Sequence, residues 1–188
     1  SKFFLSKLFK RLYFWRSISR CDLIVCQTET MKNRLLYRKP SLKLEVVDVG
    51  FDIDEQAVTA SDEVIQIDVP VLIYPTVIYP HKNLGILIEV AIRLKAKGFK
   101  LIFRLTFDEN TGEKEAEFCA KVKQYDISDY FEFIGRLNRG ELLGAICGAT
   151  GFIMPTLIET YGLPYLEAQL LGKPMFTSDR DFARELCG

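Results

Sequence analysis

From Asp22 onward, short apolar runs alternate with amphipathic segments, and this order limits the possible folds more than any other feature of the chain. Runs rich in Val, Ile, Leu and Phe, bounded by turn residues, read as strands; longer segments with apolar residues every third or fourth position read as helices. Strands are expected over 23–26, 45–49, 71–74, 101–107, 131–134, 151–154 and 175–177. Helices are expected over 28–37 behind Thr28 as N-cap, over 84–97 ended by Gly98, over 113–125, 139–147 and 164–171, and from Asp181 to the end. A strand, a helix and another strand in strict succession make a crossover, not a hairpin, so the strands must run parallel. The fold class that follows is α/β, a Rossmann-like parallel sheet with helices on both faces. Crossovers in such a sheet are right-handed, and its ligands sit at the carboxyl ends of the strands.

With 188 residues, 48% of them hydrophobic, the chain can bury the core of one ordinary domain and a piece of a second. The polar stretch over 51–69 reads as a linker between a unit at 1–50 and another at 70–188. Acidic and basic residues balance at 25 each, which gives no basis for a nucleic-acid partner. Five scattered cysteines without a Cys-x-x-Cys pair, and a single histidine, argue against zinc and for reduced, mostly buried thiols in a cytosolic protein. No apolar run approaches the roughly 20 residues of a membrane span, and no signal peptide is visible. The first twenty residues carry six basic side chains and no acidic one, interleaved with Phe3, Phe4, Phe9, Tyr13, Phe14 and Trp15. They read either as a helix packed on a sheet or as an interfacial helix drawn to anionic lipid.

Candidate chemistry concentrates in two loops. Glu159 and Glu167 bracket Gly162-Leu163-Pro164, with Pro164 expected as the first helical residue, where its missing N–H is not needed. The free N–H groups of that first turn favour an anion, and Gly162 lets a ligand approach the backbone. Two acceptor-only carboxylates beside an anion site suit a ligand carrying both phosphate and sugar hydroxyls. Equally, they could be surface carboxylates, with Glu167 complementing the helix start. In the second loop, Tyr79-Pro80-His81-Lys82-Asn83 precedes a helix. A lysine there opposes the helix dipole, so Lys82 either grips a phosphate or is simply solvated. His81 reads as structural.

The run from Pro155 to Pro174 closely resembles the Glu-x7-Glu signature of retaining GT-B glycosyltransferases of family 4, the glycosyl transferases group 1, mainly their C-terminal nucleotide-sugar-binding domain. Cys21 to Glu29 resembles the last strand and helix of that family's N-terminal, acceptor-side domain, and Val49 to Asp52 its hinge. Pro80 to Asn83 resembles its phosphate-lysine loop. Phe133 to Leu137, followed by Glu141 and Leu142, resembles its nucleobase-side segment. The resemblance implies the C-terminal half of a GT-B fold, truncated at both ends. It also implies metal-free transfer of a sugar, with retention, from a nucleotide-diphosphate sugar to a saccharide or lipid-linked acceptor. By the same resemblance Glu167 bonds the ribose, Glu159 the donor sugar, and Lys82 with the N–H groups near Gly162 and Leu163 the diphosphate. Glu159 and Lys82 are thus the catalytic candidates. No separate cofactor is expected. Cell-surface polysaccharide or lipopolysaccharide synthesis in the cytoplasm follows as the setting, with residues 1–20 at the inner face of the cytoplasmic membrane.

Two departures from the family stand out. The arginine that many members carry about five residues before the lysine is missing, since 74–79 reads Tyr-Pro-Thr-Val-Ile-Tyr. The acceptor-side domain is also largely absent, so the chain alone is expected to be inactive. A non-catalytic nucleotide- or partner-binding module derived from a GT-B half is the alternative. A hydrolase with paired carboxylates is more distant, because nothing supplies a water-activating partner.

Overall fold

A computed structural model describes residues 2–47 and 69–187, and for residues 2–5 the backbone alone. The chain divides into two compact units, Ser1–Gly50 and Phe51–Gly188.

In the first unit, helix α1 (Lys2–Ile18) is followed by β1 (Ile24–Cys26), α2 (Glu29–Arg38) and β2 (Leu44–Val46), with β1 and β2 paired in parallel. Thr28 caps α2 as expected, its hydroxyl accepting from the Met31 N–H at 3.1 Å. Strand β2 ends at Val46, short of its apolar pattern; Val47 is described and lies outside the strand, and positions 48 and 49 lie outside the described residues, as does nearly all of the expected linker. Helix α1 leaves several of its apolar and aromatic side chains exposed. Phe9, Leu12 and Tyr13 are 68%, 59% and 76% exposed. No helix among the described residues is long and apolar enough to cross a membrane.

The second unit is a five-stranded parallel sheet in the order β5-β4-β3-β6-β7. Its elements are β3 (Val71–Tyr74), α3 (Gly85–Ala96), β4 (Ile102–Leu105), α4 (Glu113–Gln124), β5 (Phe131–Phe133), α5 (Arg139–Cys147), β6 (Gly151–Met154), α6 (Leu163–Leu170), β7 (Met175–Thr177) and α7 (Asp181–Cys187). The central strand β3 is buried at all four positions, as a strand covered on both faces must be. On β4, one position from the centre, Phe103 and Leu105 are buried while Arg104 points outward to its register partner Glu132, Nε to Oε2 2.7 Å. Phe107 and Phe118 meet edge-on at 5.9 Å and fill one end of the core with Phe103, Phe131 and Phe133.

Most element boundaries shift from the sequence reading, and three of the shifts lie at the carboxyl edge of the sheet. β4 ends at Leu105, not 107, because the Thr106 hydroxyl replaces the ladder, accepting from the Thr76 N–H at 2.8 Å. A short 3₁₀ turn, Pro80–Lys82, precedes α3, which begins at Gly85. Helix α6 begins at Leu163, which makes Pro164 its second residue, a position whose N–H is equally dispensable. All five cysteines are free, yet only Cys26 and Cys119 are buried; Cys21 is exposed, so "mostly buried" is corrected to two of five.

Candidate functional site

The strand order reverses between β3 and β6. From β3 the chain winds outward through β4 to β5, then returns to place β6 on the other side of β3. The connections leaving the carboxyl ends of β3 and β6 therefore diverge, which opens a crevice at the switch point. Lys82 lies on the first connection and Glu159 on the second.

Hydrogen bonds between the two loops hold this arrangement. The carbonyl of His81 accepts from the Leu157 N–H at 2.7 Å and from the Thr156 hydroxyl at 3.0 Å. Asn83 takes a left-handed conformation, φ 55°, and its Nδ2 donates to the Pro155 carbonyl at 3.2 Å. Beneath them the fully buried Tyr74 donates its hydroxyl to the Lys82 carbonyl at 3.0 Å. Each is a backbone polar group that would otherwise be lost to water at a partly buried turn. The ring of His81 stacks on Tyr79 at 5.6 Å and takes no part in these bonds, in keeping with a structural role.

Lys82 Nζ and Glu159 Oε2 meet at 2.9 Å, although 77 residues separate them. Their side chains are 17% and 19% exposed, so the pair is screened by little water. The other oxygen of Glu159 accepts from the Thr160 N–H at 3.2 Å. Gly162 then caps α6 at φ 75° and ψ 56°, a region open mainly to glycine. A Cβ there would lie 2.6 Å from Cδ2 of Tyr165 and 3.2 Å from Cγ of Glu159. Among the described residues the N–H groups of Gly162 and Leu163 donate to no partner, as is usual in the first turn of a helix.

Glu167, one turn further on, is 4% exposed. Its Oε1 accepts from Nη1 of Arg139 at 3.1 Å. Burial pushes the Glu167 carboxyl above its ordinary value, and the guanidinium pulls it back. Sequence reasoning did not find Arg139. The signal was present, since a basic residue opens α5 against the dipole, the argument already applied to Lys82. On the β3 side a cavity of about 490 Å³ is lined by Thr76, Lys82, Thr106, Arg136, Leu137 and Leu142, among others. It gathers the ends of β3, β4 and β5, and so joins the lysine loop to the segment that follows Phe133. The structure thus brings Lys82, Glu159, Gly162 and Leu163 together, with Glu167 in the next turn of α6.

No curated protein matches this sequence. Solved structures do match in fold. The pneumococcal O-GlcNAc transferase GtfA, in complex with UDP and GlcNAc, shares 18% identity at a TM-score of 0.69, over 89% of this chain and 32% of its own. Anabaena HepE, in complex with UDP and glucose, shares 16% at 0.72, over 95% of this chain and 50% of its own. WaaG, a glycosyltransferase involved in lipopolysaccharide biosynthesis, shares 13% at 0.68, over 86% of this chain and 46% of its own. The chain therefore spans a third to a half of the structures it resembles, and the fold it shares with them is GT-B. The model for the family described as glycosyl transferases group 1 matches residues 58–188, and the chain belongs to that family.

Proposed function

We propose that this chain holds the donor in a retaining, family 4 type of glycosyl transfer, with a nucleotide-diphosphate sugar bound at the β3–β6 switch point. The observation that carries this reading is the meeting of Lys82 and Glu159 beside the unpartnered N–H groups of Gly162 and Leu163. In this reading residues 1–50 are the last elements of an acceptor-side domain, 51–69 connect it, and 70–188 bind the donor. Lys82 and the α6 N-terminus carry the leaving diphosphate, Glu159 the hydroxyls of the donor sugar, and Glu167 those of the ribose. Catalysis is then positioning plus stabilisation of an oxocarbenium-like sugar and a departing diphosphate, with no metal. Lys82 is held by Glu159 until the diphosphate arrives; transfer of the ammonium to phosphate oxygens would free Glu159 for the sugar.

UDP is the first nucleotide to test, because two of the structures similar in fold contain it. The acceptor is proposed as a saccharide or lipid-linked sugar of cell-surface polysaccharide or lipopolysaccharide synthesis, the latter also the role of WaaG. The basic, aromatic α1 supports contact with the inner face of the cytoplasmic membrane. A helix N-terminus contributes about 1 kcal/mol. Lys82 and Glu167 add roughly 2 kcal/mol each as charged hydrogen bonds. Before ordering costs, that total of about 5 kcal/mol corresponds to dissociation constants from high micromolar to millimolar. Calorimetric titration of the chain with UDP, GDP and ADP should find saturable binding of one of them in that range, lost in Glu167→Ala. No binding of any, or binding untouched by the substitution, refutes the assignment.

A second reading, a non-catalytic nucleotide-binding module, draws on the loop over 74–79, which has no basic residue to share the diphosphate with Lys82. It predicts nucleotide binding with no change of affinity on adding a sugar to the diphosphate.

A further inference from the structure

Arg139 stands at the first position of α5, where a positive charge opposes the helix dipole. Asn138 and Glu141 already satisfy that helix start through a reciprocal capping box, so the helix does not need Arg139 there. The guanidinium instead reaches across to α6 and donates to Oε1 of Glu167 at 3.1 Å, with its own side chain 52% exposed and that of Glu167 5%. The second oxygen, Oε2, accepts no hydrogen bond among the described residues, and no buried side-chain nitrogen or oxygen among them lacks a partner. Oε2 therefore opens on solvent while Oε1 is tied.

We propose that Arg139 is a positioning residue of the nucleotide site, one that clamps Oε1 of Glu167 and so presents Oε2 to the ribose hydroxyls. The inference rests on the proposed ribose role of Glu167 and assigns the specificity for ribose to a pair, not to one carboxylate. The donors of a planar guanidinium point in fixed directions, so its single bond to Oε1 orients the carboxylate more than a freely rotating lysine ammonium would. Charge acts alongside geometry. Burial favours the neutral carboxyl, and Arg139 is the one charged group opposing it. Of the neighbouring ionisable groups, Glu141 is turned to the Asn138 N–H and Glu159 is held by Lys82. Tyr165, on the same helix, points its hydroxyl at the Met154 carbonyl, Cys187 of α7 bears on Tyr165, and β7 has no ionisable side chain.

The test compares UDP with 2′-deoxy-UDP by calorimetry at pH 6 and pH 8, on the whole chain and on its Arg139→Ala, Arg139→Lys and Glu167→Gln variants. Arg139→Ala should weaken UDP binding about tenfold, the size of one charge-assisted hydrogen bond. It should bring the ratio of UDP to 2′-deoxy-UDP affinity toward one. Its loss should be larger at pH 6 than at pH 8, because the unclamped carboxyl takes up a proton more readily. Arg139→Lys should return the pH dependence toward that of the unaltered chain but restore little of the ribose preference. In parallel, carboxyl NMR without nucleotide should find Glu167 titrating at higher pH in Arg139→Ala. An unmoved Glu167 titration, or an unchanged ribose preference in Arg139→Ala where Glu167→Gln abolishes it, overturns the inference. UDP binding that ignores Glu167→Gln as well overturns the ribose assignment itself.

Discussion

Replacing Gly162 by alanine tests whether the turn that opens α6 is set by backbone conformation, by packing, or by both. At φ 75° a side chain costs about 1–2 kcal/mol in backbone strain. The added Cβ would also stand 2.6 Å from Cδ2 of Tyr165, well inside contact distance. Tyr165 cannot swing clear, since it is fully buried and its hydroxyl is hydrogen-bonded to Met154 O at 3.4 Å. Overpacking of that kind costs a further 1–3 kcal/mol or so. Gly98 and Gly172, at φ 71° and 62° with nothing within 4 Å of an added Cβ, isolate the strain alone. We expect Gly98→Ala and Gly172→Ala to lose about 1 kcal/mol, part of the strain being offset by the stiffer unfolded chain. Gly162→Ala should lose roughly 2–5 kcal/mol, a fall of about 5–15 °C in melting temperature for a domain of this size. Urea unfolding of the three variants supplies the comparison, and UDP titration of Gly162→Ala should find weaker binding as the turn shifts. If Gly162→Ala is no less stable than Gly98→Ala, the clash with Tyr165 is not real and the turn is not locked by packing.

The Lys82–Glu159 pair should couple by about 1–3 kcal/mol in a double-mutant cycle read by urea unfolding, as removal of either partner leaves the other half-buried and unpaired. Additivity of Lys82→Ala and Glu159→Ala would refute the pairing. Tyr74 and Tyr165 predict the response to alkali. Burial raises both hydroxyls above their ordinary value, so the unfolded chain loses these protons first. Their contribution to stability is therefore complete below about pH 10 and is lost as pH rises beyond it. Urea midpoints measured from pH 9 to 11 should fall steeply above pH 10, and less steeply with both residues changed to Phe.

The alternation of apolar runs and amphipathic segments was enough to place five parallel strands, because the period of the side-chain pattern is a local property. It could not give their order. That β6 returns to the far side of β3 depends on which sheet edge the chain takes after α5, and this step alone creates the crevice. Glu159, Glu167 and Lys82 were legible through their positions around helix starts. The position of Arg139 against the α5 dipole marked it as a residue with a task, but its partner, 28 residues away on another helix, is recorded by no local spacing. The shortening of β4 escaped notice for a similar reason. Thr106 looks like strand by propensity, yet its hydroxyl ends the ladder by bonding to Thr76. The side-chain pattern of the N-terminal helix admits both a packed and an interfacial role, and Tyr13 and Phe9 are exposed in this chain.

The bonds that join the lysine loop to the loop after β6 bear on how such a site can be altered. His81 offers one carbonyl to both Leu157 and Thr156, and Asn83 reaches back to Pro155. Neither loop can lengthen, shorten or change course without leaving those groups unbonded at the base of the other. On the proposed donor role, an exchange of sugar preference would therefore succeed only if both segments were replaced as one cassette. A single-loop chimera should carry the new side chains on a frame that no longer closes.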